Sequence, residues 1–270
     1  MIDLTKYAAR YSHAMKFEEN VPGVLEVIFD GPNLNAVDEK FHEDIPEIWR
    51  DIDRDPQVRV ALVRGAGKAF SAGGDFALIE AQYQHYHVRQ KVLRESRDLF
   101  YNMINCNKPI ISAIHGAAVG AGLVVALMAD ISIAAKDAKI VDGHTRLGIA
   151  AGDHAAMVWP LLCGMAKAKY LLFTCERITG QQADELGLVS MSVEASELLE
   201  KAREVAKKLS FGAQESIQFT KHSMNMWYRQ NSSIFEASLG YEFLGVSGPD
   251  VLEGVNSHRE KRAPVFVREE

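Results

Sequence analysis

The chain has 270 residues, of which 47% are hydrophobic and 24% charged, and it contains 20 glycines and 3 cysteines. A chain of this length and composition can bury a sizeable core, which excludes a disordered tail and a disulfide-rich miniprotein. Its formal net charge of −6 at pH 7 offers no basic surface for a nucleic-acid backbone. The cysteines are widely spaced and form no CxxC pair, so we expect neither a bound metal nor a disulfide framework.

The sequence contains no segment that predicts export or membrane insertion. Residues 1–17 are charged throughout and lack the apolar core of a signal peptide. The longest apolar run, residues 117–129, contains two glycines and is shorter than the ~20 residues that a membrane-spanning helix needs. We therefore expect a cytoplasmic protein with neither a membrane nor a nucleic acid as partner.

Short apolar runs and helical patterns alternate along the first 195 residues. Runs rich in β-branched residues and bounded by turn residues predict buried strands at 24–29, 58–63, 109–114 and 131–134. Apolar spacing predicts helices at 38–53, with an interruption at Pro46, and at 90–104 and 121–128. Strands that alternate with helices predict an α/β core.

The later part of the chain has only helical patterns. They cover residues 197–209, 214–227, 233–244 and 249–261. The sequence thus predicts an α/β core over residues 1–195 and a helical segment over residues 196–270.

Several common motifs are absent. A dinucleotide-binding fingerprint would need a third glycine where Phe70 stands, and a phosphate-binding P-loop would need Ser or Thr in place of Ala69. The chain also lacks the GxSxG and HExxH patterns of serine hydrolases and zinc proteases. These four kinds of site are therefore not supported.

Two glycine-rich turns each follow a predicted strand and precede a helix. They are KAFSAGGD at 68–75 and HGAAVGAG at 115–122. Small residues allow a ligand to approach the backbone, and unpaired N–H groups at a helix start attract developing negative charge. The two turns could therefore form an oxyanion hole. Close packing of helix on strand explains the same glycines, and spacing alone favours that simpler interpretation.

These residues resemble the crotonase (enoyl-CoA hydratase/isomerase) superfamily. The similarity rests on both glycine turns, on NKPIISAI at 107–114, and on LNAV at 34–37, ADI at 129–131, ITGQQADELGLV at 178–189 and EKRAPVF at 260–266. The resemblance implies a crotonase-like spiral of ββα turns over residues 1–195 and a helical trimerisation segment over residues 196–270. It further implies a homotrimer or dimer of trimers, with no permanently bound cofactor and coenzyme A as part of a small-molecule acyl-CoA or β-oxo substrate.

The resemblance also assigns roles to individual residues. Backbone N–H groups of Gly74 and Ala121 would hold the thioester oxygen while an enolate forms, since preorganised dipoles stabilise developing charge. Contacts with the substrate or with coenzyme A are implied for Asn35, Ala36, Ala72, Gly73, Asp75, Gly120, Val124, Trp159 and Lys261.

The chain departs from the family at the acid/base positions. Hydratases of the family use two glutamates, and the aligned positions hold Val124 and His144. A valine cannot transfer a proton, so hydration by two glutamates is not expected. His144 and Asp153 could instead activate water, because a carboxylate beside a histidine raises its basicity. Residue types alone favour a packed histidine, with Asp153 as a helix N-cap.

The stretch from Asp142 to Pro160 is similar to the alicyclic β-diketone hydrolase branch of the superfamily, the branch of 6-oxocamphor hydrolase. That similarity implies a His144–Asp153 pair that activates water for hydrolytic C–C cleavage. The branch has lost the second glycine turn, whereas this chain keeps Gly120 to Gly122, so a CoA thioester stays a possible substrate. Two alternatives remain open: a hydratase or isomerase with unusual acid/base residues, and an acyl-CoA-binding subunit without turnover.

Overall fold

The structure, a computed structural model, describes residues 1–266, and its strands form two sheets. The larger sheet has the order β1-β2-β3-β4-β6-β9, and the smaller has the order β5-β7-β8, with these strand bounds: β1 Met15–Glu18, β2 Val24–Phe29, β3 Val60–Gly65, β4 Ile110–Ile114, β5 Ala117–Val119, β6 Ile131–Ala135, β7 Lys139–Val141, β8 Ile178–Thr179 and β9 Met191–Val193. In the larger sheet β1 is antiparallel to β2 and the later pairs are parallel.

Helices connect the parallel strands, as parallel pairing requires. Their bounds are α1 Leu4–Tyr11, α2 Pro32–Asn35, α3 Glu39–Arg54, α4 Phe76–Gln84, α5 Tyr86–Asn105, α6 Gly120–Met128, α7 Ala155–Cys163, α8 Met165–Thr174, α9 Gly180–Glu185, α10 Leu198–Ser210, α11 Gln214–Met224, α12 Met226–Gln230, α13 Ser232–Gly245 and α14 Asp250–Arg259. A short 3₁₀ turn, Thr145–Leu147, follows β7.

The predicted alternation of strands and helices is confirmed. The four predicted strands correspond to β2, β3, β4 and β6. All six residues of β2 are buried, because a strand inside the sheet is covered on both faces. Five of them are apolar, and the carboxylate of the sixth, Glu26, pairs with Arg64 and Arg203. The strands β1 and β9 escaped prediction because four and three residues are too few to show a pattern.

The predicted interruption at Pro46 is wrong. Helix α3 continues through that proline from Glu39 to Arg54. Its start is capped by Asp38, which accepts a hydrogen bond from the Phe41 N–H at 2.9 Å. Ile48 and Trp49 are fully buried on the same helix, and burial of this apolar face outweighs one lost backbone hydrogen bond.

The segment after residue 196 packs on the core. Leu198, Ala202 and Ala206 are the buried face of α10, which contacts β3, β4 and β6. The Lys221 ammonium on α11 lies 2.7 Å from the Asp130 carboxylate. Helix α13 lies against α5 and α7, and α14 lies against α4 and the 3₁₀ turn. Residues of the C-terminal segment therefore reach the middle of the molecule, while the division at 195/196 stays a prediction.

Within residues 1–266, no helix combines the length and the apolar composition that crossing a membrane requires. The cytoplasmic location stays a prediction.

Candidate active site

The two glycine turns lie against each other. The Val119 N–H donates to the Ser71 carbonyl oxygen at 3.1 Å, which joins the first turn to β5. Gly73 and Gly120 have φ values of +89° and +49°, a region that favours glycine. A Cβ atom on Gly120 would lie 3.2 Å from the Gly73 Cα. The glycines thus serve both a left-handed backbone and a close approach of two chains.

Gly74 and Ala121 both line one cavity of about 960 Å³. Ala121 is the second residue of α6, so its N–H has no acceptor inside the helix. The Gly74 N–H makes no backbone hydrogen bond within residues 1–266. Two backbone donors are therefore free to bind an oxygen atom in this cavity, which is the arrangement of an oxyanion hole.

The other residues implied by the resemblance divide into two sets. Those that line the cavity are Ala36, Ala72, Gly73, Asp75, Gly120 and Val124. Asn35, Trp159 and Lys261 do not line it. The Asn35 amide is buried and donates to the carbonyl oxygens of Ala66 and Ala69 at 3.1 and 2.9 Å. Asn35 therefore shapes the first turn instead of meeting a ligand.

His144 lies at the start of the 3₁₀ turn and lines the cavity. Its Nδ1 is 3.0 Å from Oδ1 of Asp142. A carboxylate only accepts, so this nitrogen carries a proton and Nε2 faces the other way. The nearest oxygen of Asp153 is 3.8 Å from Nε2. The direct partner of His144 is thus Asp142, and the expected pairing with Asp153 is a longer contact.

Asp153 is held by a second histidine. The His154 Nδ1 lies 2.8 Å from Oδ1 of Asp153, and the Trp159 indole N–H donates to the His154 Nε2 at 3.2 Å. An indole nitrogen only donates, which makes His154 Nε2 the acceptor and places the ring proton on Nδ1. Trp159, expected to contact substrate, is fully buried. It instead orients the histidine that orients Asp153.

Glu242, on α13, is the residue that the sequence did not reveal. Its Oε1 lies 3.9 Å from the His144 Nε2, and its side chain lines the cavity. The Oε2 atom is buried without a hydrogen-bond partner in the described part of the chain. Glu242 is distant in sequence from the DGH motif and stands in an ordinary helical pattern, so no local signal identifies it.

The four groups influence one another's protonation. Burial raises the pKa of Glu242 to about 8, and the nearby Asp153 charge adds to that effect. Burial alone would lower the pKa of His144, but the charges of Asp142 and Asp153 outweigh it and raise the pKa well above its usual value. Burial acts to raise the pKa of Asp153, but His154 and His144 hold it well below its ordinary range.

At neutral pH these directions give a protonated His144 and Glu242 beside an ionised Asp153. The distances of 3.8 and 3.9 Å exceed a direct hydrogen bond, yet they leave a position about 2.8 Å from Nε2 and from either carboxyl group for a water oxygen. The cavity therefore brings the N–H groups of Gly74 and Ala121 together with a cluster of titratable side chains, His144, Asp153 and Glu242, which we call the proton-transfer cluster. Together they can stabilise an enolate and position a water molecule.

A metal ion is a different possible use of these side chains. Asp142, His144 and Asp153 offer ligand atoms within 4.8 Å of one another. The His144 Nδ1 is already hydrogen-bonded to Asp142, so only Nε2, on the far side of the ring, could bind a metal. Asp142 and Nε2 cannot then share one ion, and the arrangement fits a hydrogen-bonded cluster better.

Positive charge lines the cavity at a place that sequence reasoning missed. The cavity-lining side chains include Arg146, Arg177 and Arg259, all in exposed residues. Arg259 also forms an ion pair with Glu80, with 2.8 Å between Nη2 and Oε2. Lys261, the cation expected from sequence, is exposed and does not line the cavity.

Comparisons with known proteins agree with this geometry. A sequence model of the enoyl-CoA hydratase/isomerase family matches residues 19–269. A probable enoyl-CoA hydratase from Bacillus subtilis (strain 168) is 32% identical over 254 residues, which cover 91% of this chain and 96% of that protein. The crystal structure of an enoyl-CoA hydratase/isomerase from Mycobacterium paratuberculosis has a TM-score of 0.85 and 28% identity, with 90% and 98% of the two chains covered.

A β-diketone hydrolase is also among the similar structures. The structure of that hydrolase, from the cyanobacterium Anabaena sp. PCC 7120, was solved with bound (S)-3-oxocyclohexyl acetic acid. Its TM-score is 0.82 at 27% identity, with 91% of this chain and 98% of that chain covered.

The fold and the sequence matches together define an enzyme. The chain belongs to the enoyl-CoA hydratase/isomerase family of the crotonase superfamily. The predicted crotonase-like α/β fold with C-terminal helices is confirmed, as is the prediction of an enzyme of this superfamily.

Proposed function

We propose that this enzyme cleaves a C–C bond of a β-oxo substrate by hydrolysis. The observation that carries the proposal is the cluster of His144, Asp153 and Glu242 beside the oxyanion hole, in a chain that has Val124 in place of a family carboxylate. Val124 lines the same cavity and is buried, so proton transfer falls to the cluster. The similar fold of a β-diketone hydrolase supports the same reaction.

In the proposed reaction, water adds to the carbonyl carbon distal to the oxyanion hole. The cluster takes a proton from that water, and the new C–O bond forms. The C–C bond then breaks, and its electron pair enters an enolate. The enolate oxygen accepts hydrogen bonds from the N–H groups of Gly74 and Ala121. The proton held by the cluster returns to the enolate carbon. A new carboxylic acid and a carbonyl group result, on two products from an open-chain substrate and on one ring-opened product from a cyclic substrate, and no oxidant or reductant is consumed.

The cluster must lose one proton before it can accept one from water. Burial raises the pKa of Glu242 to about 8, so this carboxyl group holds a proton at neutral pH and releases it in mildly alkaline solution. A proton acceptor is most effective when its pKa lies near the working pH. We therefore assign the transferred proton to the His144–Glu242 pair, with Asp153 ionised throughout.

We further propose that the substrate is a thioester of coenzyme A. The support is the set of cavity-lining arginines, Arg146, Arg177 and Arg259, because guanidinium groups bind phosphate oxygens in a bidentate manner. Coenzyme A would then enter only as part of the substrate. Substitution of Arg146 or Arg177 by Ala should raise KM for a CoA thioester more than it lowers kcat.

The same site could instead add water to an unsaturated acyl-CoA. The oxyanion hole serves either reaction, and the family match covers enoyl-CoA hydratases and isomerases. Product analysis in 18O-labelled water separates the two. Hydrolytic cleavage places the label in a new carboxylate, whereas hydration places it in a β-hydroxyl group.

The experiment uses trans-2-enoyl-CoAs, cyclic β-oxoacyl-CoAs and cyclic β-diketones with the wild type and with His144→Ala and Glu242→Gln. His222→Ala is the matched control, because His222 is an exposed residue on α11. Labelled carboxylate that disappears in the two site variants and persists in the control supports cleavage. Full activity of His144→Ala refutes it, and tight thioester binding without any product indicates a binding subunit.

The homotrimer or dimer of trimers also belongs to this proposal. The C-terminal helices carry exposed large apolar side chains, namely Phe219, Met224, Trp227, Ile234, Tyr241 and Leu244. Clusters of exposed apolar side chains are typical of protein–protein interfaces. Light scattering of the purified protein measures the subunit number directly.

A further inference from the structure

One wall of the cavity is apolar but contains three polar side chains. The wall is formed by Leu78, Val92, Leu99 and Val124, which line the cavity and are buried. The same cavity is also lined by Gln82 of α4, Ser96 of α5 and His42 of α3. We call these three residues the polar triad of the acyl wall. None of the proton-transfer steps proposed above uses them.

Gln82 is the clearest of the three. It is only 7% exposed, and its side-chain amide makes no hydrogen bond with any other described residue, although its backbone carbonyl accepts one from Arg89. The amide lines the cavity without a protein partner, so it is available to a ligand there. A ligand that displaces water from this amide without replacing its hydrogen bonds would bind less well.

His42 has one ring nitrogen occupied and one available. Its Nδ1 lies 2.7 Å from Oε2 of Glu95, and a carboxylate can only accept, so Nδ1 donates. The opposite nitrogen, Nε2, has no hydrogen-bond partner among residues 1–266. Glu95 is in turn 3.7 Å from the Lys91 ammonium. The imidazole is therefore held from behind, with Nε2 on the other side of the ring.

Ser96 shares a helix face with two apolar residues of the wall. Val92, Ser96 and Leu99 are separated by four and three positions, which places them on one side of α5, and all three line the cavity. The serine hydroxyl donates no hydrogen bond within the described chain. A hydroxyl group in the middle of an apolar face provides a third site for hydrogen bonding.

We infer that the polar triad binds an oxygen atom of the acyl group, so that the preferred substrates carry a ketone or hydroxyl group remote from the thioester. The inference rests on the proposed function, in which an acyl group occupies this cavity. No residue of the wall or triad is a lysine or arginine, which favours a neutral oxygen over a carboxylate. A plain alkyl chain would leave the Gln82 amide without a partner.

The test compares two inert CoA thioesters, 3-oxocyclohexylacetyl-CoA and cyclohexylacetyl-CoA, by isothermal titration calorimetry. Neither is a β-oxo thioester, so binding is measured without turnover. The wild type should bind the keto compound about tenfold more tightly, as one well-paired polar contact predicts. Gln82→Leu and Ser96→Ala should each reduce this preference by lowering affinity for the keto compound alone.

Gln90→Leu is the matched control, because Gln90 is exposed on α5 and bonds only Tyr86 through its side chain. It should keep the wild-type preference. Equal affinity of the wild type for both thioesters, or an unchanged preference in both triad variants, overturns the inference. The corresponding free acids are titrated in parallel. If only the acids bind, coenzyme A is not the carrier. In that case a higher affinity for the keto acid than for cyclohexylacetic acid supports the role of the triad, and equal affinities refute it.

Discussion

Glu242→Gln tests the charge arrangement of the site through folding stability alone. A glutamate has an ordinary pKa of 4.5, and burial raises the pKa of Glu242 to about 8 in the folded chain. Between these two values the unfolded chain has lost a proton that the folded chain keeps. The free energy of unfolding of the wild type therefore falls by about 1.4 kcal/mol per pH unit in this range. The fall ends above pH 8, where both states are ionised.

A glutamine at this position cannot ionise, so the variant lacks this pH dependence. From pH 6 to pH 9 the wild type loses about 3 kcal/mol through Glu242. The free energy of unfolding of Glu242→Gln minus that of the wild type should accordingly be about 3 kcal/mol larger at pH 9 than at pH 6. Urea unfolding followed by circular dichroism measures the difference, since the midpoint and slope give the free energy of unfolding.

Glu236→Gln serves as the control on the same helix. Glu236 is exposed and accepts hydrogen bonds from Arg97 and Tyr101, and an exposed ion pair contributes about 1 kcal/mol or less. Its stability relative to wild type should be nearly the same at both pH values. If Glu242→Gln also shows the same difference at pH 6 and pH 9, Glu242 is not a buried proton holder and the proposed site is wrong.

Three further results are expected. The kcat/KM of the wild type should rise roughly tenfold from pH 7 to pH 9 as Glu242 ionises near pH 8, and the pH–rate profile of Glu242→Gln should lack this rise. His154→Phe removes the hydrogen bond to Asp153, so the ionised Asp153 interacts more strongly with His144, and an NMR titration should show a higher pKa for His144, with activity reduced at least ~10-fold. Gly120→Ala places an alanine at a φ of +49°, which should lower the free energy of unfolding by about 1–3 kcal/mol. The melting temperature and kcat should both fall.

Sequence patterns predicted the part of the molecule that depends on local chemistry. The strands 24–29 and 131–134 are mostly apolar because both faces of a parallel sheet are covered, with Glu26 and Ser132 as buried polar exceptions. The glycine turns were recognisable because a left-handed φ at Gly73 and Gly120 favours glycine at those positions. Their use as an oxyanion hole stays a prediction, and it requires that Gly74 and Ala121 line one cavity, as they do.

The hydrogen-bond partners inside the site were not predictable in the same way. Both Asp142 and Asp153 stand near His144 in sequence, and only the direction of the imidazole ring decides which of them meets Nδ1. The loop places Asp142 there at 3.0 Å. Trp159 followed the expected motif but points into the core, where it donates to His154. Side-chain direction after an irregular loop is a tertiary property that residue spacing does not encode.

Glu242 comes from the C-terminal segment, so the two parts of the proposed site come from different parts of the chain. The proposed oxyanion hole comes from turns within the first 125 residues, while the proton-transfer cluster joins a loop residue, His144, to α13 of the C-terminal segment. Val124 leaves the usual acid/base position on α6 apolar. In the proposed reaction, proton transfer takes place on another side of the cavity, where the charge on Asp153 and burial of Glu242 set the protonation state. The proposal thus gives the helices after residue 196 a part in the chemistry as well as in packing.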